Sequence, residues 1–284
     1  MLTRRSALAA GAVVGLSAAG PAPAPRRIVS LNPCLDVILV HVADRAQIAA
    51  ISHYSHEPSS SSIGPAGATY PFTYESAEEV LALRPDLVLT GRHSSPATRA
   101  ALKRLGIRAE LFAVPNTVEE SLEQVRRVAR AVHRPARGEA VIAQVRAALA
   151  AAAPRPGAPR LSALTYQAGG FATAPGTMMD EMMRRCGLDN AAARYGLKRT
   201  GNIPLELLVA DPPDVLLAGE AEPGAPTWAD RVLTHPALSR VATRMHRATF
   251  PQQLTFCGGP VLIETARMLA QAREAALAKR GARA

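Results

Sequence analysis

Aromatic side chains are scarce in this chain: five Phe, five Tyr and one Trp among 284 residues, or 4%. Nucleic-acid surfaces interleave ring faces with basic side chains. Here the formal charge of +10 rests mostly on Arg scattered over predicted helix surfaces. The charge therefore reads as a basic solvated exterior, and no nucleic-acid partner is expected. Cysteine is rarer still, with three residues and no C-x-x-C spacing, which argues against a free-standing protein metal site. The G-x-S-x-G and H-E-x-x-H patterns of hydrolases are missing. The P-loop and G-x-G-x-x-G patterns are missing too; the Gly169-Gly170 pair matches neither. No apolar run beyond the N-terminus approaches about 20 residues, so no transmembrane helix is expected.

What is present is the composition of a folded protein, 48% hydrophobic and 20% charged, long enough for two ordinary domains. The N-terminus reads as an export signal. Arg4-Arg5 precede the uncharged run 7–19, and Ala22-Pro23-Ala24 offers a small-residue cleavage site. Removal of residues 1–24 takes away Arg4 and Arg5 and leaves +8. The Arg4-Arg5-Ser6 start fits a twin-arginine leader as well as an ordinary secretory one. The expected destination is the periplasm, an oxidising space. Cys34 follows Leu31-Asn32-Pro33, which lacks the small residues of a lipid-attachment site.

Two stretches run in parallel, 128 residues apart: SAEEVLALRPDLVLTG from Ser76 and PLELLVADPPDVLLAG from Pro204. Each predicts a short helix with a Glu near its start, a Pro-Asp pair that stops it, and a buried parallel strand closed by Gly. Two such units in phase imply two like-built lobes. Strand and helix patterns alternate throughout, which predicts parallel sheets with helices on both faces, one sheet per lobe. The first lobe spans 25–135. A long Ala-rich helix at 136–153 follows and is stopped by Pro154-Arg155-Pro156; the connecting unit is taken as 136–154. The second lobe spans 155–284. The stretch 53–74 has no period and reads as a long loop, and so does 191–203.

Ligands of such sheets bind beyond the carboxyl ends of the strands. That rule gathers the loops after residues 31, 52, 91, 166, 219 and 250 around one cleft between the lobes.

The order and spacing of several segments resemble the class III periplasmic substrate-binding proteins of ABC importers for ferric siderophores, haem and cobalamin. The resemblance is carried by Arg27-Ile28-Val29-Ser30-Leu31-Asn32-Pro33, Glu78 with Leu81-Ala82-Leu83-Arg84-Pro85-Asp86, Ala174-Pro175-Gly176-Thr177, Gly187-Leu188-Asp189-Asn190, Glu206 with Pro213-Asp214, and His235-Pro236-Ala237-Leu238. It covers roughly 26–278. It implies two α/β lobes joined by one stiff helix, little lobe closure, a bound metal chelate, and no catalytic group or cofactor of the protein's own. It also implies that Glu78 and Glu206 dock onto Arg residues of the inner-membrane permease, where a carboxylate–guanidinium pair fixes orientation. A monomer is expected.

The cleft loops hold Asn32, Cys34, Tyr54, Arg92, His93, Tyr166, Phe171, Arg199, Trp228, Phe256 and Cys257 as candidate ligand contacts. Ring faces suit a flat macrocycle. Arg92 and Arg199 suit an acidic chelate or propionates, and a His or Tyr suits haem iron. Cys34 and Cys257, one per lobe, admit three readings: unpaired small apolar residues, a disulfide across the cleft, or contacts to a bound metal. Cys186 reads as a core residue. A lesser alternative is an exported Cys- or metal-dependent hydrolase built from Cys34, Asp36 and His93.

Overall fold

A computed structural model describes residues 23–57, 60–220 and 229–282. The first lobe runs β1 (Ile28–Ser30), α1 (Pro33–Val42), β2 (Ile48–Ser52), β3 (Phe72–Thr73), α2 (Ala77–Ala82), β4 (Leu87–Gly91), α3 (Pro96–Arg104), β5 (Ala109–Phe112) and α4 (Val118–Ala131). Helix α5 (Pro135–Ala152) then crosses to the second lobe. That lobe runs β6 (Leu161–Tyr166), β7 (Phe171–Ala172), α6 (Met178–Arg185), β8 (Leu188–Asn190), β9 (Gly201–Asn202), α7 (Leu205–Ala210), β10 (Val215–Ala218), α8 (Pro236–Arg240), β11 (His246–Thr249) and α9 (Val261–Gly281).

The first sheet has the order β3-β2-β1-β4-β5 and the second β11-β10-β6-β8. Every pairing in both is parallel, while β7 and β9 form a separate antiparallel pair. In the first lobe the chain winds outward from β1 through β3 and then returns to β4 on the other side of β1. In the second it leaves β6 for β8 and returns to β10. Each lobe thus has a switch point, beside β1 and beside β6.

The internal repeat acts at those switch points. The Asp86 carboxylate accepts the backbone N–H of Arg26 at 2.7 Å and of Arg27 at 3.0 Å, which ties the entry of β1 to β4. Asp214 accepts the N–H and the hydroxyl of Ser162, both at 2.8 Å, which ties β6 to β10. At the other end of each strand the repeat's Gly lets an amide side chain pass. A Cβ on Gly91 would stand 2.9 Å from Asn32 Nδ2, and one on Gly219 would stand 2.2 Å from Gln167 Oε1. The two Glu-bearing segments therefore lead into strands of different sheets.

One face of each sheet packs into a single core shared with α1, α4, α5, α6 and α9, built around Ile38, Leu122, Val145, Met182, Val215 and Leu269. Helices α2 and α3 cover the outer face of the first sheet at Val80, Val88 and Leu102. Helices α7 and α8 cover that of the second at Leu208, Leu216 and Leu238. Burial on both faces explains why the central strands read as unbroken apolar runs. Because the inner core is continuous, separating the lobes means exposing it to water. Arg273 of α9 reinforces the junction. It is buried and donates to the carbonyls of Ala152 at 2.9 Å and Cys186 at 2.6 Å, so its cation meets the C-terminal ends of α5 and α6.

The expected loops are more ordered than their composition implies. The stretch 53–74 contains 3₁₀ turns at His53–His56 and Gly64–Thr69 and the edge strand β3. The stretch 191–203 contains a turn at Ala191–Tyr195 and β9. Two-residue strands carry no alternation to read. No helix among the described residues is long and apolar enough to cross a membrane. Residues 1–22, which hold most of the expected leader, lie outside the described residues, as does Trp228.

Candidate functional site

The carboxyl ends of β1, β4 and β5 open onto a cavity of about 280 Å³. Asn32 stands just beyond β1 and caps α1, its Oδ1 accepting the N–H groups of Cys34 at 3.0 Å and Leu35 at 3.2 Å. The donors at this helix start are thus already used, so recognition of an anion falls to side chains. Arg92 and His93 follow β4 on a tight turn. The Ser94 hydroxyl donates to the Leu31 carbonyl at 2.9 Å and accepts the Gly91 N–H at 3.1 Å. The Arg99 guanidinium donates to the carbonyls of Gly91, Arg92 and Ser94. Arg92 and His93 are therefore exposed on a turn whose own polar groups are satisfied.

Phe112 at the end of β5, with Ala113, Val114 and Pro115 beyond it, forms another wall. Gln124 of α4 donates to the Ala113 carbonyl at 2.9 Å, and Arg127 lies 4.4 Å over the Phe112 ring. The last wall is Phe256 and Gly258, carried across from the second lobe. Between these two residues lies Cys257, joined by a disulfide to Cys34, with Cα atoms 5.0 Å apart and 223 residues between them in sequence. Among the described lining residues, Arg92 is the one side chain with a fixed charge, His93 the one imidazole, and none is a carboxylate.

Of the residues expected at the cleft, Asn32, Cys34, Arg92, His93 and Phe256 meet in this cavity. Others do not. Tyr166 is fully buried, its hydroxyl donates to the Ile203 carbonyl at 3.2 Å, and burial pushes its phenol up to about 12. It belongs to the outer-face core of the second lobe, because the last residue of β6 points away from the cleft. Cys257 is 1% exposed and bonded to Cys34. Neither sulfur is a thiolate, which corrects the readings of both as unpaired or metal-contacting residues. The same bond removes the nucleophile of the hydrolase alternative. Another of its three members, Asp36, is buried, with Oδ2 accepting the Ser52 N–H at 3.0 Å and the Ser55 hydroxyl at 2.7 Å. Cys186 is buried and free, as expected.

Tyr54 is exposed and stacks on His53 with ring centroids 4.0 Å apart, away from the cavity lining. Phe171, half-buried in β7, and exposed Arg199 also lie outside it. The segment 113–115 and Gln124 were not anticipated. The rule that selected the other loops, the carboxyl end of a parallel strand, applies equally after β5. Glu78 and Glu206 are exposed in the first turns of α2 and α7, one per lobe, with no ion pair or side-chain hydrogen bond to a described residue.

Two doubly wound lobes with a cavity at a switch point, its described lining made of apolar faces, one cation and one imidazole, have the architecture of a substrate-binding protein. The family model for periplasmic binding proteins matches residues 28–247, and the chain belongs to that family. Its members bind ligands such as metal chelates and serve the permeases of ABC importers. Among solved structures, the periplasmic heme-binding protein RhuT from Roseiflexus sp. RS-1 is 24% identical, with a TM-score of 0.70 over 88% of this chain and 98% of that one. A periplasmic heme-binding protein from Pseudomonas aeruginosa is 23% identical, with a TM-score of 0.67 over 87% and 92%. The periplasmic vitamin B12 binding protein BtuF of Vibrio cholerae is 16% identical, with a TM-score of 0.66 over 89% and 98%. At these identities the likeness is one of fold. No curated protein sequence matches the chain significantly.

Proposed function

We propose that this protein captures a metal chelate, a corrinoid or a ferric siderophore, in the periplasm and delivers it to the inner-membrane permease of an ABC importer. The observation that carries this reading is the cavity beside β1. Phe112, Val114 and Phe256 supply apolar walls, Arg92 supplies a cation, and no described lining residue is a carboxylate. Such a site suits a ligand with a broad apolar face and an acidic edge. A volume of about 280 Å³ lies at the low end of small-molecule sites, about 300–1,000 Å³. A macrocycle therefore enters in part and rests against Val114 and Phe256, both exposed at the rim. Tyr54, Phe171 and Arg199 are then outer contacts for a ligand larger than the cavity. The likeness to proteins named for heme and vitamin B12 supports the ligand class.

His93 favours a second reading within the same family. An imidazole on the cavity wall can ligate haem iron, with Arg92 placed for a propionate.

The purified protein tests both readings. A bound corrinoid or haem gives a visible absorbance. Cyanocobalamin, haemin and a panel of ferric siderophores are added in turn, and melting is followed. A ligand at a hundred times its Kd adds about 2.7 kcal/mol to stability. A colourless protein whose melting temperature ignores the whole panel would sink the proposal.

A further inference from the structure

The segment 251–260 belongs by sequence to the second lobe but is seated on helices of the first. Cys257 is bonded to Cys34 of α1. The Gly259 N–H donates to Ser121 Oγ of α4 at 2.7 Å, and the Ser62 hydroxyl donates to the Gln253 carbonyl at 3.1 Å. Two glycines permit the crossing. A Cβ on Gly258 would lie 2.2 Å from Ser121 Oγ, and one on Gly259, at φ +62°, would lie 3.0 Å from Ile38.

Cavities touch this segment at two places. The cleft cavity is lined by Phe256 and Gly258. A second cavity of about 320 Å³ is bounded by Val37 and His41 of α1 and by Pro251, Gln253 and Leu254 of the segment itself. Leu254, Cys257, Gly258 and Gly259 are buried, and the Thr265 hydroxyl donates to the Leu254 carbonyl at 3.3 Å. Phe256 differs. It is 40% exposed, so its ring forgoes much of the dispersion contact that fixes a buried side chain. Its neighbour Cys257 is tied covalently.

We propose that the Cys34–Cys257 disulfide is the positioning element of the cleft: it, rather than packing, holds Phe256 as a fixed wall of the cavity. The effect on ligand rests on reading that cavity as the binding site; the effect on the segment does not. A dithiol that cuts the bond gives up two electrons and two protons, becomes a disulfide itself, and leaves Cys34 and Cys257 as thiols. Phe256 is then no longer tied to α1 through its neighbour. The same geometry protects the bond. With Cys257 buried, attack comes from the cavity onto the Cys34 sulfur and expels the Cys257 thiolate into apolar surroundings. A thiolate there is a poor leaving group. The disulfide is therefore a standing part of the site in an oxidising compartment and not a switch.

The test compares the native chain with a Cys34→Ala/Cys257→Ala variant by amide hydrogen exchange. Residues 253–259 should exchange at least about tenfold faster in the variant, while α1, α4 and α9 keep their rates. Unchanged protection of 253–259 overturns the proposal, because packing then suffices. Loss of protection throughout α1, α4 and α9 overturns it as well, because the bond is then a general staple. A second arm measures binding of cyanocobalamin and haemin to the native chain, the double variant, Phe256→Ala, and the triple variant. For a probe that binds the native chain, removing the disulfide should weaken binding several-fold, and should cost nothing further once Phe256 is gone. Equal losses in both backgrounds refute a role exerted through Phe256. If neither probe binds the native chain, the reading of these two ligands fails, and hydrogen exchange alone still decides the proposal.

Discussion

The side-chain amide of Asn32 crosses Gly91 so closely that a Cβ at position 91 would stand 2.9 Å from its Nδ2. Asn32 also caps α1 and lines the cavity. Gly91→Ala therefore disturbs the cap and the site together. It should cost about 1–3 kcal/mol in urea unfolding, as overpacking does, and weaken ligand binding. Gly219→Ala presses on Gln167, which does not line the cavity. It should destabilise comparably and leave affinity unchanged. Matching affinity losses in the two variants would mean that the effect is global.

Asp36 should make stability depend on pH in an unusual direction. Burial pushes its carboxyl up to about 8, with the Glu75 charge adding to the shift and the hydrogen bonds from Ser55 and Ser52 opposing it. The unfolded chain loses that proton near about 3.9. Between about pH 4 and pH 8 the folded state holds more protons, so stability falls as pH rises through that window and levels off above it. Glu75, itself raised by burial, contributes in the same sense. Asp36→Asn keeps the shape without the charge. Its melting temperature should exceed the native one at pH 8 and match it near pH 4; curves that stay parallel from pH 4 to 9 would contradict this.

Arg273 should be one of the costliest side chains to remove outside the cleft. Arg273→Met retains apolar volume but leaves the Ala152 and Cys186 carbonyls without their charged donor. A loss of about 2–4 kcal/mol is expected, read from the denaturant midpoint at constant m-value. Its partner Glu274 is largely exposed, so Glu274→Ala should cost less than about 1 kcal/mol.

Glu78→Ala combined with Glu206→Ala should abolish uptake through the permease in a reconstituted importer and leave ligand affinity unchanged. On the proposal that each lobe docks through its own Glu, each single variant should retain partial transport. Weaker ligand binding in the double variant would place these carboxylates in the binding site and not on the docking face.

The two-lobe organisation was legible because its helix and strand signals are local and recur at the same spacing. A Pro after a short apolar helix, an Asp and a Gly stand at matching places in both lobes, although the partners of the Asp lie 52 to 60 residues away. The connecting helix, expected at 136–153, spans Pro135–Ala152 for the same reason. A rule about strand ends, which needs only strand positions, selected Asn32, Cys34, Arg92, His93 and Phe256, and these five line one cavity. Tyr166 was misplaced because a strand end does not say which face its last side chain takes. The edge strand β3 escaped notice because two residues pair only when a neighbour already exists.

Read alone, the chain determined which segments seek burial, where they stop, and that two like units are present, since propensity and apolar period act over a few residues. Only the folded molecule decided which two of three sulfurs join, which aromatic side chains are buried, and that one core runs through both lobes. Those outcomes depend on how surfaces far apart in sequence dock, such as Cys34 against Cys257 across 223 residues. No short-range pattern encodes that docking.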